Sequence, residues 1–430
     1  MFSIFQTSYL WEKTRTERKR EGNKKFYKFL VLFAILLAVI LCIYNIFTID
    51  NLQSSMLHFT NLVAKDALNE ELDQNIKDLL SKLDIAGLEA YLNSLTYEQK
   101  AIFGGTIFQK IAQLLTGDFN LGYKNIFTAI QAQFLKEIKA FVAVFCMIIA
   151  IAILCGLLQK FKSSIASRGT GKLIFFVGYS AITVLILSGL IAMVKIGIST
   201  ANSLKGQMQA IFPVLLTLMA TSGGAVSVAV YQPAVLFLTE IAVTIITTII
   251  FPLAMLIAVL HIVGNLNQDI KLQQFCDLFA SIIKWVLGIT LTVFTVFLTV
   301  QGITSATYDG ISFKAAKYAI SNSVPIIGGF LGGGLDMIMA GSALIKNAVG
   351  SCGIILLAIV ILLPLLQYAV YNLFLKLSSS VVEPLGVSGV SSLLASISKT
   401  VNYFIAGLLG VGFMYFVTIL LLICSSTAFF

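Results

Sequence analysis

Apolar runs of membrane-spanning length, separated by short polar punctuation, fill most of the chain. A basic head at residues 1–28 leads into an apolar run at 29–49. That run is about 20 residues long, enough to cross a hydrocarbon core of about 30 Å. Further apolar runs occupy 140–158, 173–194, 211–264, 282–304, 352–373 and 401–424. The pattern predicts an all-α polytopic membrane protein with about seven or eight membrane segments, some of them broken or re-entrant. Residues 140–430 form the polytopic domain.

Only residues 50–139 alternate as a water-facing region does. Leu68, Leu72, Ile76, Leu79, Leu80 and Leu83 recur at helical spacing with charged residues between them. Thr96 and Gln99 have the spacing of a capping box. Phe127, Ile130, Phe134 and Ile138 form a further stripe leading into the next span. These patterns predict a small helical extracytoplasmic segment.

The run 211–264 would be about 80 Å long as one helix, at 1.5 Å per residue. It must therefore turn back within or beside a bilayer. The break is expected at Thr221-Ser222-Gly223-Gly224-Ala225, with further breaks at Gln232-Pro233 and Phe251-Pro252. A broken helix at membrane depth needs its freed backbone groups buried in protein or facing water. That makes Ser222, Gly223, Gly224 and Pro233 functional candidates; the alternative is an ordinary hairpin with a glycine turn at the interface. The second interrupted stretch, 305–349, is too apolar for a free loop and too punctuated for a simple span. Within 300–350 stand Gln301, Gly302, Asp309, Gly310, Lys317, Pro325, Gly328, Asp336, Lys346, Asn347 and Gly350. The regions 211–235 and 305–349 are thus the two re-entrant candidates.

Composition sharpens the membrane reading. The chain is 58% hydrophobic and 11% charged, with a mean hydropathy of +0.94. Soluble domains carry about 25% charged residues, so a soluble enzyme and a nucleic-acid-binding domain are both excluded. The net charge of +9 is spread as membrane proteins spread it. The head carries Arg15, Arg18, Lys19, Arg20, Lys24, Lys25 and Lys28, and Lys160, Lys162, Arg168 and Lys172 follow the second span. The positive-inside rule places both clusters in the cytoplasm and residues 50–139 outside. The run 29–49 reads as either a signal peptide or an uncleaved anchor; the absence of a small-residue cleavage site after it favours the anchor.

Ionisable residues inside apolar runs are expensive and mark candidate sites. Asp309 can pair with Lys314 or Lys317, and Asp336 with Lys346, unless the lysines snorkel to the interface. Glu240 is a possible intramembrane acid, a proton or cation site if it is shielded from water. The chain has six cysteines without a C-x-x-C pair and only two histidines, His58 and His261. No catalytic, cofactor-binding or metal-binding residue is expected.

Several motifs resemble one family. The stretch 218–227, Leu-Met-Ala-Thr-Ser-Gly-Gly-Ala-Val-Ser, followed by Pro233, is similar to the stage III sporulation protein AE family. So are Gln301-Gly302, Asp309-Gly310, Ala316-Lys317, Pro325, Gly328, Lys346-Asn347-Ala348-Val349-Gly350 and Glu383-Pro384-Leu385-Gly386. The resemblance runs from about residue 100 to the C-terminus in matching order and spacing. It implies a non-enzymatic multi-pass subunit of a channel or secretion-like complex between mother cell and forespore, in the mother-cell membrane surrounding the forespore. Implied partners are other stage III sporulation subunits, including ring-forming membrane proteins and a separate cytoplasmic ATPase. The long basic head departs from the family's short signal-like start. A rival reading is a stand-alone secondary transporter, since Gly- and Pro-broken helices also build substrate sites at the midplane.

Overall fold

The computed structural model describes residues 85–116, 123–165, 168–266, 271–323 and 328–424. The basic head, the 29–49 run and the leucine stripe at 68–83 lie outside the described residues. So does Pro325.

Three short helices come first: α1 (Ala86–Ser94), α2 (Tyr97–Phe103) and α3 (Ile107–Thr116). The expected capping box opens α2. The Gln99 backbone N–H donates to Thr96 Oγ1, and the Thr96 N–H donates to Gln99 Oε1. Gly104, in a left-handed conformation at φ 64°, closes it. Leu88, Leu92, Ile102, Phe103, Ile107 and Ile111 are buried. The helices are tied to the long bundle by Tyr91, whose hydroxyl lies 3.1 Å from Ser203 Oγ, and by Glu98, which is ion-paired to Lys136 at 2.9 Å. Burial pushes the Tyr91 phenol up to about 12, against a smaller opposing effect of Ser203. The hydrogen bond from Lys136 holds the Glu98 carboxyl below its ordinary value.

The bundle consists of α4 (Tyr123–Ile165), α5 (Arg168–Thr221), α6 (Ala225–Ile245), α7 (Phe251–Leu266), α8 (Gln273–Ser323), α9 (Gly328–Val382) and α10 (Ser388–Cys424). A π-helical turn (Ile246–Ile250) joins α6 to α7, and a 3₁₀ turn (Glu383–Leu385) precedes α10. Six apolar stretches among the described residues are long enough to cross a membrane: 130–157, 175–221, 225–266, 273–301, 337–385 and 388–424. The loop ends of neighbouring helices are pinned by hydrogen bonds. Tyr179 OH donates to Ile262 O at 2.6 Å, and Ser379 Oγ donates to Ser391 O at 2.9 Å.

Two expectations are corrected here. The sequence pattern separates 173–194 from 211–264, whereas α5 runs unbroken from 168 to 221. The polar residues between the two runs are absorbed by packing: Thr200 Oγ1 donates to Ile196 O, and the buried Gln207 donates to Gly353 O on α9 at 2.7 Å. The prolines also do not break the chain, since Pro213, Pro233 and Pro364 all lie inside helices. At Pro252 the ladder adapts instead. The Phe251 N–H reaches back to Ile246 O, widening the turn where Pro252 supplies no donor.

The merging of runs has a consequence for height. Apolar stretches of 47, 42 and 49 residues extend about 70, 63 and 74 Å at 1.5 Å per residue. A hydrocarbon core is about 30 Å thick, and membrane helices tilt by at most about 40°. One hydrocarbon core therefore cannot hold the full length of the helices α5, α6–α7 or α9, whose ends project beyond it.

Candidate functional site

The turn between α5 and α6 is the sharpest feature of the apolar region. The Gly223 N–H donates to Ala220 O at 3.2 Å and the Gly224 N–H to Met219 O at 2.9 Å, closing α5. Gly223 has φ 92°, a backbone conformation that side chains disfavour. A Cβ on Gly224 would sit 2.9 Å from Met219 O and 3.5 Å from Asp309 Oδ2. Ser222 is buried and donates its hydroxyl to Met219 O at 3.0 Å. The expected break at 221–225 is thus a tight reversal between two long helices.

Such a reversal leaves the first N–H groups of α6 without partners, and Gly224 at the N-cap offers no side chain. Asp309 supplies the missing acceptor from α8. The Val226 N–H donates to Asp309 Oδ1 at 2.8 Å, and the Ser227 N–H donates to Oδ1 and Oδ2 at 3.3 and 3.2 Å. Asp309 is 1% exposed. A carboxylate here satisfies buried donors and opposes the positive end of the helix dipole. Asp309 is thus held by backbone N–H groups; of the two lysines expected beside it, Lys314 is exposed and the side chain of Lys317 lies outside the described residues. The two candidate regions, 211–235 and 305–349, therefore meet in one polar junction.

Lys346 is also corrected. It is 0% exposed, so it does not snorkel. Its neighbour Asn347 is half-buried, and Gly350, one turn on, abuts Ile423 of α10. Gln301 is half-buried on α8. Gly302, Gly310 and Lys317 fall on α8, and Gly328 and Asp336 on α9. The side-chain surroundings of these five lie outside the described residues, as does the expected Asp336–Lys346 pair.

Glu240 is exposed on α6, and Lys205 of α5 donates to its two carboxylate oxygens at 2.8 and 2.6 Å. Because α6 starts at Ala225, Pro233 is an internal helix residue and does not set the depth of Glu240. Glu137 is a second acid within a spanning stretch, and sequence reasoning assigned it to the soluble segment. It accepts from Gln133 at 2.9 Å and from Gln367 of α9 at 2.8 Å. The only sequence signal was the continuation of the Phe127–Ile138 stripe into the next span. Among the described residues, no group of three His, Cys, Asp or Glu side chains is placed to hold a metal ion.

The family model described as Stage III sporulation protein AE matches residues 106–426. A similar protein, Stage III sporulation protein AE of Bacillus subtilis (strain 168), is 26% identical over 356 residues, covering 83% of this chain and 89% of its own length. No solved structure matches the chain. The matched region contains the Gly223–Gly224 reversal, its Asp309 clamp and Lys346, so the part of the bundle built around this junction is the part the family model describes, and the chain belongs to the stage III sporulation protein AE family.

Proposed function

We propose that this sporulation-family protein is a non-enzymatic, multi-pass membrane subunit of a channel or secretion-like complex between mother cell and forespore. It acts in the mother-cell membrane around the forespore. Its partners are other stage III sporulation subunits, including ring-forming membrane proteins and a cytoplasmic ATPase separate from this chain.

The observation that carries this reading is the Asp309 clamp. A transporter built on broken helices presents half-helix N-termini to its substrate. Here the N-terminus of α6 is filled by the protein's own buried carboxylate, which supports a fixed structural junction over a substrate site. The 42-residue apolar stretch 225–266 of α6–α7, longer than one hydrocarbon core, also favours a subunit covered by other protein over one surrounded by lipid alone.

The test is localisation with complementation. A fluorescent fusion expressed in the mother cell should concentrate at the membrane around the forespore. A deletion strain should fail to complete spores, and the wild-type gene should restore them. Even distribution over the mother-cell membrane, with spore formation restored by a supplied solute, would favour the transporter.

A further inference from the structure

The facing sides of α4 and α9 run parallel and in step. On α4, Gln133, Glu137, Phe141 and Phe145 stand four residues apart and share one side of the helix. On α9, Gln367, Tyr371 and Leu375 do the same. Polar groups join the two sides at one end: Gln133 and Gln367 both donate to Glu137 Oε1, at 2.9 and 2.8 Å. One turn further the contacts become aromatic. Phe141 meets Tyr371 with ring centroids 5.3 Å apart, and Phe145 meets Phe374 at 5.4 Å.

Below the Glu137 cap, α4, α5 and α9 leave an open groove, lined by these four rings and by Val144, with the buried Ser378 at its far end. The Tyr371 hydroxyl is spent inside the bundle, donating to Ile186 O of α5 at 3.1 Å. The descents 137–148 on α4 and 367–378 on α9 each cover about 16 Å at 1.5 Å per residue. That is half of a hydrocarbon core of about 30 Å, the depth of one leaflet. The level fits as well. The apolar run of α4 begins at residue 140, directly after Lys136, Glu137 and Lys139. The charged turn therefore stands at headgroup level and the groove below it in hydrocarbon. A polar head above one chain of that length is the outline of a phospholipid.

Glu137 selects the head. Its two hydrogen-bond donors are neutral amides, and among the described residues it forms no ion pair. Lys136 is near enough to feel its charge but is ion-paired to Glu98 at 2.9 Å. Lys139, two residues on, projects from another side of α4. A primary ammonium supplies what the carboxylate lacks, a positive charge that also donates hydrogen bonds.

We propose that the groove between α4, α5 and α9 binds an acyl chain of a phospholipid whose primary ammonium headgroup engages Glu137, in the leaflet remote from Lys160 and Lys162.

The experiment titrates the delipidated full-length protein, in mild detergent, with phosphatidylethanolamine, phosphatidylcholine or phosphatidylglycerol of identical chains, and follows the midpoint of thermal unfolding. The wild type should show a saturable rise, half-complete at a several-fold lower concentration of phosphatidylethanolamine than of the other two. The choline nitrogen has no hydrogen to donate, and the glycerol head has no cation. Glu137→Gln, which keeps an acceptor for Gln133 and Gln367, should lose that preference and retain a rise with all three lipids. Val144→Phe, which fills the groove, should weaken all three responses several-fold, and Lys139→Gln should leave the preference intact. Glu137→Gln carries the test if Val144→Phe does not fold. A wild type with no saturable response, as when another protein covers the groove, overturns the proposal. So do equal responses to the three headgroups, an unchanged preference in Glu137→Gln, or unchanged responses in Val144→Phe.

Discussion

Asp309→Ala is the sharpest perturbation of the junction. Asp309 accepts from two N–H groups that no other described residue caps, at 2.8 Å from Val226 and 3.2–3.3 Å from Ser227. Each buried donor left unmade costs about 1–3 kcal/mol, which sets an upper range of about 2–6 kcal/mol for the pair. Ordinary N-cap deletions, at about 0.5–2 kcal/mol, set the floor. Removing the carboxylate also relieves its own burial, so the expected loss is about 2–4 kcal/mol. Asp309→Asn keeps one acceptor oxygen and loses chiefly the charge–dipole share, so about 1–2 kcal/mol is expected. Reversible unfolding in mixed micelles of a mild detergent and dodecyl sulfate reads both values against wild type. The order wild type, Asn, Ala is the expected result, with Lys314→Gln indistinguishable from wild type. An alanine variant within about 0.5 kcal/mol of wild type, the scatter of ordinary surface changes, would refute the clamp. A Lys314→Gln loss equal to that of Asp309→Ala would restore the lysine pairing in its place.

Gly224→Val should insert into the membrane but fold less stably and fail in spore formation, because its Cβ would press on Met219 O at 2.9 Å; membrane fractionation with a spore count checks both halves. Glu240→Gln and Lys205→Gln should each cost only about 0–1 kcal/mol, since the pair is partly exposed, at 54% and 30%; a large loss from either in the same unfolding assay would make the pair a structural element. The Glu98 carboxyl is held below its ordinary value by Lys136, so its small contribution is complete above the ordinary carboxylate value and lost as pH falls through the lowered one. Protease sensitivity of the α1–α3 region should therefore rise in that acidic window in wild type and be less pH-dependent in Glu98→Gln.

Features governed by neighbours in sequence are legible in the sequence alone. The Thr96–Gln99 capping box needs only three residues of context. The Ser222–Ala225 reversal follows from adjacent glycines in an apolar run too long for one crossing. Partners distant in sequence were not legible. Asp309 meets Ser227 across 82 residues, and a charge pattern suggests lysines because it cannot display backbone N–H groups. Lys205, the partner of Glu240, lies 35 residues away in a polar stretch that looks like a loop. That stretch stays helical because Thr200 and Gln207 spend their polar groups inside the bundle. The proline breaks were over-read for a related reason: the helix either absorbs the lost donor or widens by a π turn, as before Pro252.

The most direct test of the proposed role is purification of the tagged full-length protein from sporulating cells after mild crosslinking, with its companions identified by mass spectrometry. The account predicts that other stage III sporulation subunits come with it, the ring-forming membrane proteins and the cytoplasmic ATPase among them, and that they are absent from a mock purification. Recovery of the protein alone from cells that contain those subunits would contradict it.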